Sequence, residues 1–211
     1  MALPKPVTRS VKNLSLLTQG GSRFIYQHPE RSDEIIKVLK MPRSRSGSRW
    51  QRWYHERKYQ FKMQRFLREV HEYIWLSVRQ DDPMQDHVPA FTELVMTDRG
   101  FGMATQKLSV DGDQLAPTLS SLLKSHQFTR AHAEALQTFA ENLVSSPVVV
   151  GDLNAKNMVF VPEVAHRWRC FLVDGMGDST FFPVQHWRPS LSRWQKRRVM
   201  HHWLQRAGVL Q

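Results

Sequence analysis

The chain has 211 residues, 41% of them hydrophobic, and a formal net charge of +11. That length suits one large domain or two small lobes, and that composition can build a core, which excludes a disordered chain. No stretch approaches the length of a membrane-spanning helix and the N-terminus has no signal-peptide pattern. The single cysteine, Cys170, leaves no partner for an intramolecular disulfide, so a cytoplasmic location is expected.

The charge is unevenly spread. Residues 41–68 hold nine Lys or Arg and one acid, Glu56, and residues 186–211 hold six Lys or Arg and no acid. The rest of the chain has the charge balance of an ordinary domain.

In chain order, residues 1–12 read as an irregular lead-in. Three short strands are predicted near 14–18, 23–27 and 34–39, with Gly20-Gly21 and "HPERSD" as the turns between them. Residues 42–49, "PRSRSGSR", read as a loop. A long helix is expected over 50–78, with Met63, Phe66, Leu67, Val70 and Ile74 at helical spacing. "AFTELVMT", "RG" and "FGMATQKL" read as strand, turn and strand. A short helical piece over 119–124 precedes a helix over 129–144 whose apolar face is Leu136, Phe139, Ala140 and Leu143. "VVVGDLNAKNMVF" reads as two apolar strands joined by a polar loop, "RCFLVDG" as a further strand, and residues 190–206 as a basic helix. There is no internal repeat. A strand-rich first half and a helix-rich second half predict an α+β protein of two lobes.

The polar loop carries the chemistry. Asp152 and Asn157 stand five apart on it, and Asp174 follows the next apolar run. Asp and Asn favour turns in any case, so a plain polar turn is the simplest reading of the first two. Phosphoryl transfer, however, needs this residue set. A carboxylate must orient the acceptor hydroxyl, and hard oxygen ligands must hold Mg²⁺ against the phosphates. Asp152 suits the first role. Asn157 and Asp174 suit the second, with Asp178 as a rival that lacks a preceding apolar strand.

"GDLNAKN" followed by "FLVDG" resembles the catalytic loop and metal-binding Asp of the protein-kinase-like fold, and the Gly before the Asp is similar to the aminoglycoside- and choline-kinase branch. In register with that likeness, Lys37 of "EIIKVLK" matches the strand lysine that clamps nucleotide phosphates. Glu69 of "LREVHEYIWL" matches the helix glutamate that pairs with it. Glu72 is the rival one turn on. Gly20 and Gly21 fall at the glycine-rich loop, and "ATQKL" at the adenine hinge. "REVHEYIWL", "TDRGFGM", "LNAKN", "VDGMGDSTFFPVQHW" and the basic last helix together resemble the PhoP regulatory network protein YrbL family, over roughly residues 14–206.

The resemblance implies a single kinase-like domain over 1–211, compact and bilobal, with a truncated C-terminal lobe. Residues 14–108 would form the strand-rich lobe with the long helix. Residues 109–211 would form the helical lobe with the catalytic-loop hairpin and the terminal helix. It implies ATP and Mg²⁺ as ligands and phosphate transfer to a hydroxyl of an unnamed acceptor in a bacterial cytoplasm. The alternative is an inactive relative that keeps the fold as a regulatory module. The departures from the pattern are Val150-Gly151 in place of His-Arg, Asp-Gly-Met in place of Asp-Phe-Gly, and "GGSR" in place of spaced glycines. Little chain follows Asp174, too little for a peptide-docking platform.

The two basic segments interleave aromatics: Trp50, Trp53 and Tyr54 among arginines, and Trp187, Trp194 and Trp203 in the last. Such interleaving suits nucleic acid or anionic lipid. No RNA- or DNA-binding signature accompanies it. In the last helix, Leu191, Trp194, Val199 and Trp203 are expected to pack as core.

Overall fold

A computed structural model describes residues 10–11, 14–20, 22–40, 48–177 and 189–209. The protein is mixed α and β with antiparallel sheets, and it divides into two compact units. Unit 1 comprises residues 1–64 and 90–107, and unit 2 comprises 65–89 and 108–211. The division passes through the long helix, so residues 65–89 cluster with the helical half.

Unit 1 is a five-stranded sheet. Strands β1 (Leu16–Gln19), β2 (Arg23–Gln27), β3 (Glu34–Leu39), β4 (Phe91–Thr97) and β5 (Gly100–Gln106) lie in the order β1-β2-β3-β5-β4. Strand β3 is buried along its whole length. One face packs Val11, Tyr26, Ile36, Val38, Val95 and Ala104 into a core. The charged members of β3 are accommodated individually. The Glu34 carboxylate, for instance, takes an ion pair from Arg31 at 3.0 Å and a hydrogen bond from the Thr92 hydroxyl at 2.9 Å.

Helix α1 (Arg49–Val78) begins at a reciprocal cap: the Gln51 N–H donates to Ser48 Oγ at 3.3 Å, and the Ser48 N–H donates to Gln51 Oε1 at 2.9 Å. In unit 2, α1 buries Phe66, Glu69, Val70, Glu72, Tyr73 and Leu76. This corrects the face expected from the sequence, because Leu67 and Ile74 are exposed. The buried stripe is rotated to include two acids.

A 3-10 turn over Pro83–His87 and helices α2 (Leu119–Lys124), α3 (Arg130–Ser145) and α4 (Pro189–Arg206) complete unit 2 with the hairpin β6 (Met158–Pro162) and β7 (Trp168–Leu172). Helix α3 buries the four apolar residues expected, plus Ala135 and His132. His87 links three elements. Its Nδ1–H donates to the Cys170 carbonyl at 2.8 Å, and its Nε2 accepts from Asn142 Nδ2 at 2.9 Å. Burial holds the His87 pKa below its usual 6.5, which keeps the ring in the neutral form that this bonding requires.

Helix α4 buries Ser192, Lys196, Met200 and Leu204, one residue per turn. Trp194 is exposed, which corrects the inward position expected of it, whereas Val199 and Trp203 are half-buried. Leu191 and Trp187 lie outside the described side chains. Lys196 donates to the Ser146 carbonyl at the end of α3 at 2.8 Å, and the Ser146 hydroxyl donates to Asp82 at 3.1 Å.

Candidate functional site

Residues 148–150, a β-branched run, do not form a strand. Their backbone donors are consumed by side chains: Val148 N–H goes to Ser146 Oγ at 3.1 Å and Val149 N–H to Glu72 Oε2 at 3.0 Å. Val150 makes only isolated bridges to Met176 and Gly177. The Asp152–Asn157 loop therefore precedes the β6–β7 hairpin, and Asp174 follows it.

Backbone bonds join the two ends. The Gly151 and Asp152 N–H groups donate to the Gly175 carbonyl at 2.9 and 3.3 Å, and the Gly177 N–H donates to the Val149 carbonyl at 2.8 Å. Asn157 is locked across the loop, its Nδ2 donating to the Asp152 carbonyl at 3.0 Å and its own carbonyl accepting from Val173 N–H at 2.9 Å. Asp152, Asn157 and Asp174 are thereby gathered at one end of the hairpin. Gly175 makes the approach possible. Its φ is +94°, and a Cβ there would lie 2.4 Å from the Asp152 carbonyl oxygen.

The carboxylates are oriented. Asp152 Oδ1 accepts from Asn154 Nδ2 at 2.8 Å, and its Oδ2 lies 3.8 Å from the Arg65 guanidinium, with both side chains partly exposed. Asp174 Oδ1 accepts from the Gly175 N–H at 2.7 Å. Helix α4 holds the loop from outside, where Trp203 Nε1 donates to the Leu153 carbonyl at 3.1 Å. Arg65, Asn154, Gly175 and Trp203 were not singled out from the sequence as site residues. Only Gly175 had a visible signal there, as the glycine directly after Asp174.

Lys37 lies in unit 1 at the centre of β3, facing Ile25 and Met103 in register, and is 4% exposed. Glu69 lies in unit 2 on α1 and is 1% exposed; Glu72 is buried as well, so the rivalry between them is not decided by burial. Gly20 ends β1, its N–H donating to the Arg23 carbonyl at 3.0 Å. Gly21 and Asp178 lie outside the described residues. A cavity of about 600 Å³ opens elsewhere in unit 2, lined by His87, Asn142, Glu163, Trp168 and Arg169 among others, and includes none of the predicted site residues.

A family model for PhoP regulatory network protein YrbL matches residues 10–207. The chain belongs to this family. A search of the curated proteins finds no match. The YrbL match takes in both units, and with them Lys37, Glu69, Asp152, Asn157 and Asp174, so these residues belong to the shared family region.

Proposed function

We propose that this YrbL-family protein binds ATP with Mg²⁺ and transfers the terminal phosphoryl group to a hydroxyl, on a protein-kinase-like fold. Unit 1 would be the strand-rich lobe and unit 2 the helical one. The observation that carries the reading is the locked loop in unit 2, where Asn157 and Gly175 both bond the Asp152 backbone and bring Asp174 alongside. Its chemistry fits Mg²⁺. With Nδ2 committed to the Asp152 carbonyl, the Asn157 amide presents its oxygen as the ligand atom, and Asp174 supplies a carboxylate. Both are hard oxygen donors, and Mg²⁺ keeps waters for its other positions.

Bound magnesium would neutralise charge on the phosphates. Asp152 would orient the acceptor hydroxyl and accept its proton as the new ester bond forms and the bond to the nucleotide's leaving oxygen breaks. Lys37 would clamp phosphates. The resemblance gives Glu69 the part of positioning that lysine. Each is buried in its own unit.

One observation favours a second reading. The Asp152 carboxylate is already engaged by Asn154 and faces Arg65. A base held in this way suits a regulatory module that binds nucleotide without turnover. Asp152→Asn separates the readings. Under the first, the variant keeps Mg²⁺-dependent ATP binding within about threefold and loses at least about a hundredfold in ADP formation with hydroxyl acceptors. Binding by the parent with no ADP formed above the variant's rate supports the second reading. Absence of binding by the parent contradicts both.

A further inference from the structure

The first turns of α1 present a surface that the proposed chemistry does not use. From 49 to 61 every described side chain is exposed except Tyr59, which is half-buried. Trp50 is 77% exposed, Trp53 48%, Tyr54 60% and Phe61 39%. At 3.6 residues per turn, Trp50, Trp53, Tyr54, Arg57 and Phe61 share one stripe about 100° wide. Large aromatics are costly to leave in water, and four on one stripe form a continuous patch rather than scattered exposure.

The charge around the stripe identifies the partner's chemistry. Arg49, Arg52, Arg57 and Lys58 lie within this segment and Lys62 directly follows it, with Glu56 as the only acid. Such a helix complements an anionic surface. Ring geometry then separates two kinds of anion. Trp50 and Trp53 meet edge to face, with centroids 5.6 Å apart and planes at 76°. The Arg57 guanidinium covers Trp53 at 4.7 Å from its centroid. The edge-to-face pair leaves no parallel slot between Trp50 and Trp53 in which a base could be sandwiched, and Arg57 takes up one face of Trp53. A headgroup layer makes no such demand. Trp, Tyr and Phe enter it as wedges while Lys and Arg extend to the phosphates. The Ser48–Gln51 cap forms the helix in advance, so its ordering cost is already met.

We infer that the 49–61 face of α1 docks on an anionic lipid surface, lying in the interface and not crossing it. Among the described residues no helix is long and apolar enough to cross.

Flotation of the full chain with vesicles tests this. Vesicles of phosphatidylcholine alone are compared with vesicles containing phosphatidylglycerol, at low and high salt. The parent is expected to float with the anionic vesicles only, and less at high salt. The exposed double variant W50A/W53A, its fold checked by circular dichroism, is expected to bind at least about tenfold more weakly. R57E/K58E is expected to do the same by reversing the charge. Failure to float, equal binding to neutral vesicles, or unchanged binding of W50A/W53A overturns the inference. Retention of a labelled single-stranded RNA by the parent, lost in W50A/W53A and without flotation, overturns it in favour of nucleic acid.

Discussion

Replacing Lys196 by Met is expected to remove a pH dependence from folding stability worth about 3 kcal/mol. Lys196 is 3% exposed, and burial lowers its pKa from 10.5 to about 8, although Asp82 and Glu72 act to raise it. Arg193 lowers it further. In the unfolded chain the amine stays protonated up to 10.5, while in the folded chain it releases its proton near 8. Between those values the unfolded state binds more protons, so folded stability rises with pH across that window. Below the window both states are protonated, and the cost of a buried ammonium is fully present. Urea unfolding from about pH 7 to about pH 10 should therefore show the parent gaining on K196M by about 1 kcal/mol per pH unit above pH 8. A constant difference between the two proteins across that range would contradict the burial of a charged Lys196.

Gly175→Ala is expected to destabilise unit 2 by about 3 kcal/mol. Two costs add. A side chain at φ +94° is strained, and the new Cβ would sit 2.4 Å from the Asp152 carbonyl oxygen and 3.0 Å from its carbon. Those are backbone atoms and cannot swing aside. Relief requires the 151–157 loop to separate from 174–177, breaking the bonds that the Gly151 and Asp152 N–H groups make to the Gly175 carbonyl. Any folded population should therefore have lost the alignment of Asp152 with Asp174. Gly20→Ala is the control. A Cβ there meets nothing within 4 Å, and its backbone is not in the left-handed region. It should change stability by less than about 0.5 kcal/mol. Equal urea midpoints for G175A and the parent would remove the close approach on which the loop geometry rests.

The order of elements was legible because punctuation was strong. Gly and Pro clusters bounded the strands, and α1 and α3 each carried a helical period. The faces were less legible. Hydropathy placed Leu67 and Ile74 of α1 and Trp194 of α4 inward, whereas Glu69, Glu72 and Lys196 occupy the interior. Glu72 is there to accept the Val149 N–H, and Lys196 to donate to the Ser146 carbonyl. Such duties depend on what tertiary structure brings near, and no local pattern encodes them. The same bonds explain why Val148-Val149-Val150 reads as a strand and is not one. In the candidate site, Asp152, Asn157 and Asp174 were legible as a spaced set. Arg65 and Trp203 were not, since they reach the loop from helices distant in sequence.

Calorimetric titration with ATP, with and without Mg²⁺, tests the central claim most directly when the parent is run beside Asp174→Ala. The account predicts that the parent binds ATP in a Mg²⁺-dependent manner and that D174A loses that dependence. The Asp174 carboxylate accepts the Gly175 N–H at 2.7 Å, and the fold of D174A is checked by circular dichroism before titration. A folded D174A that binds Mg²⁺ and ATP as tightly as the parent would contradict the metal assignment, and a parent that binds no nucleotide would contradict the function.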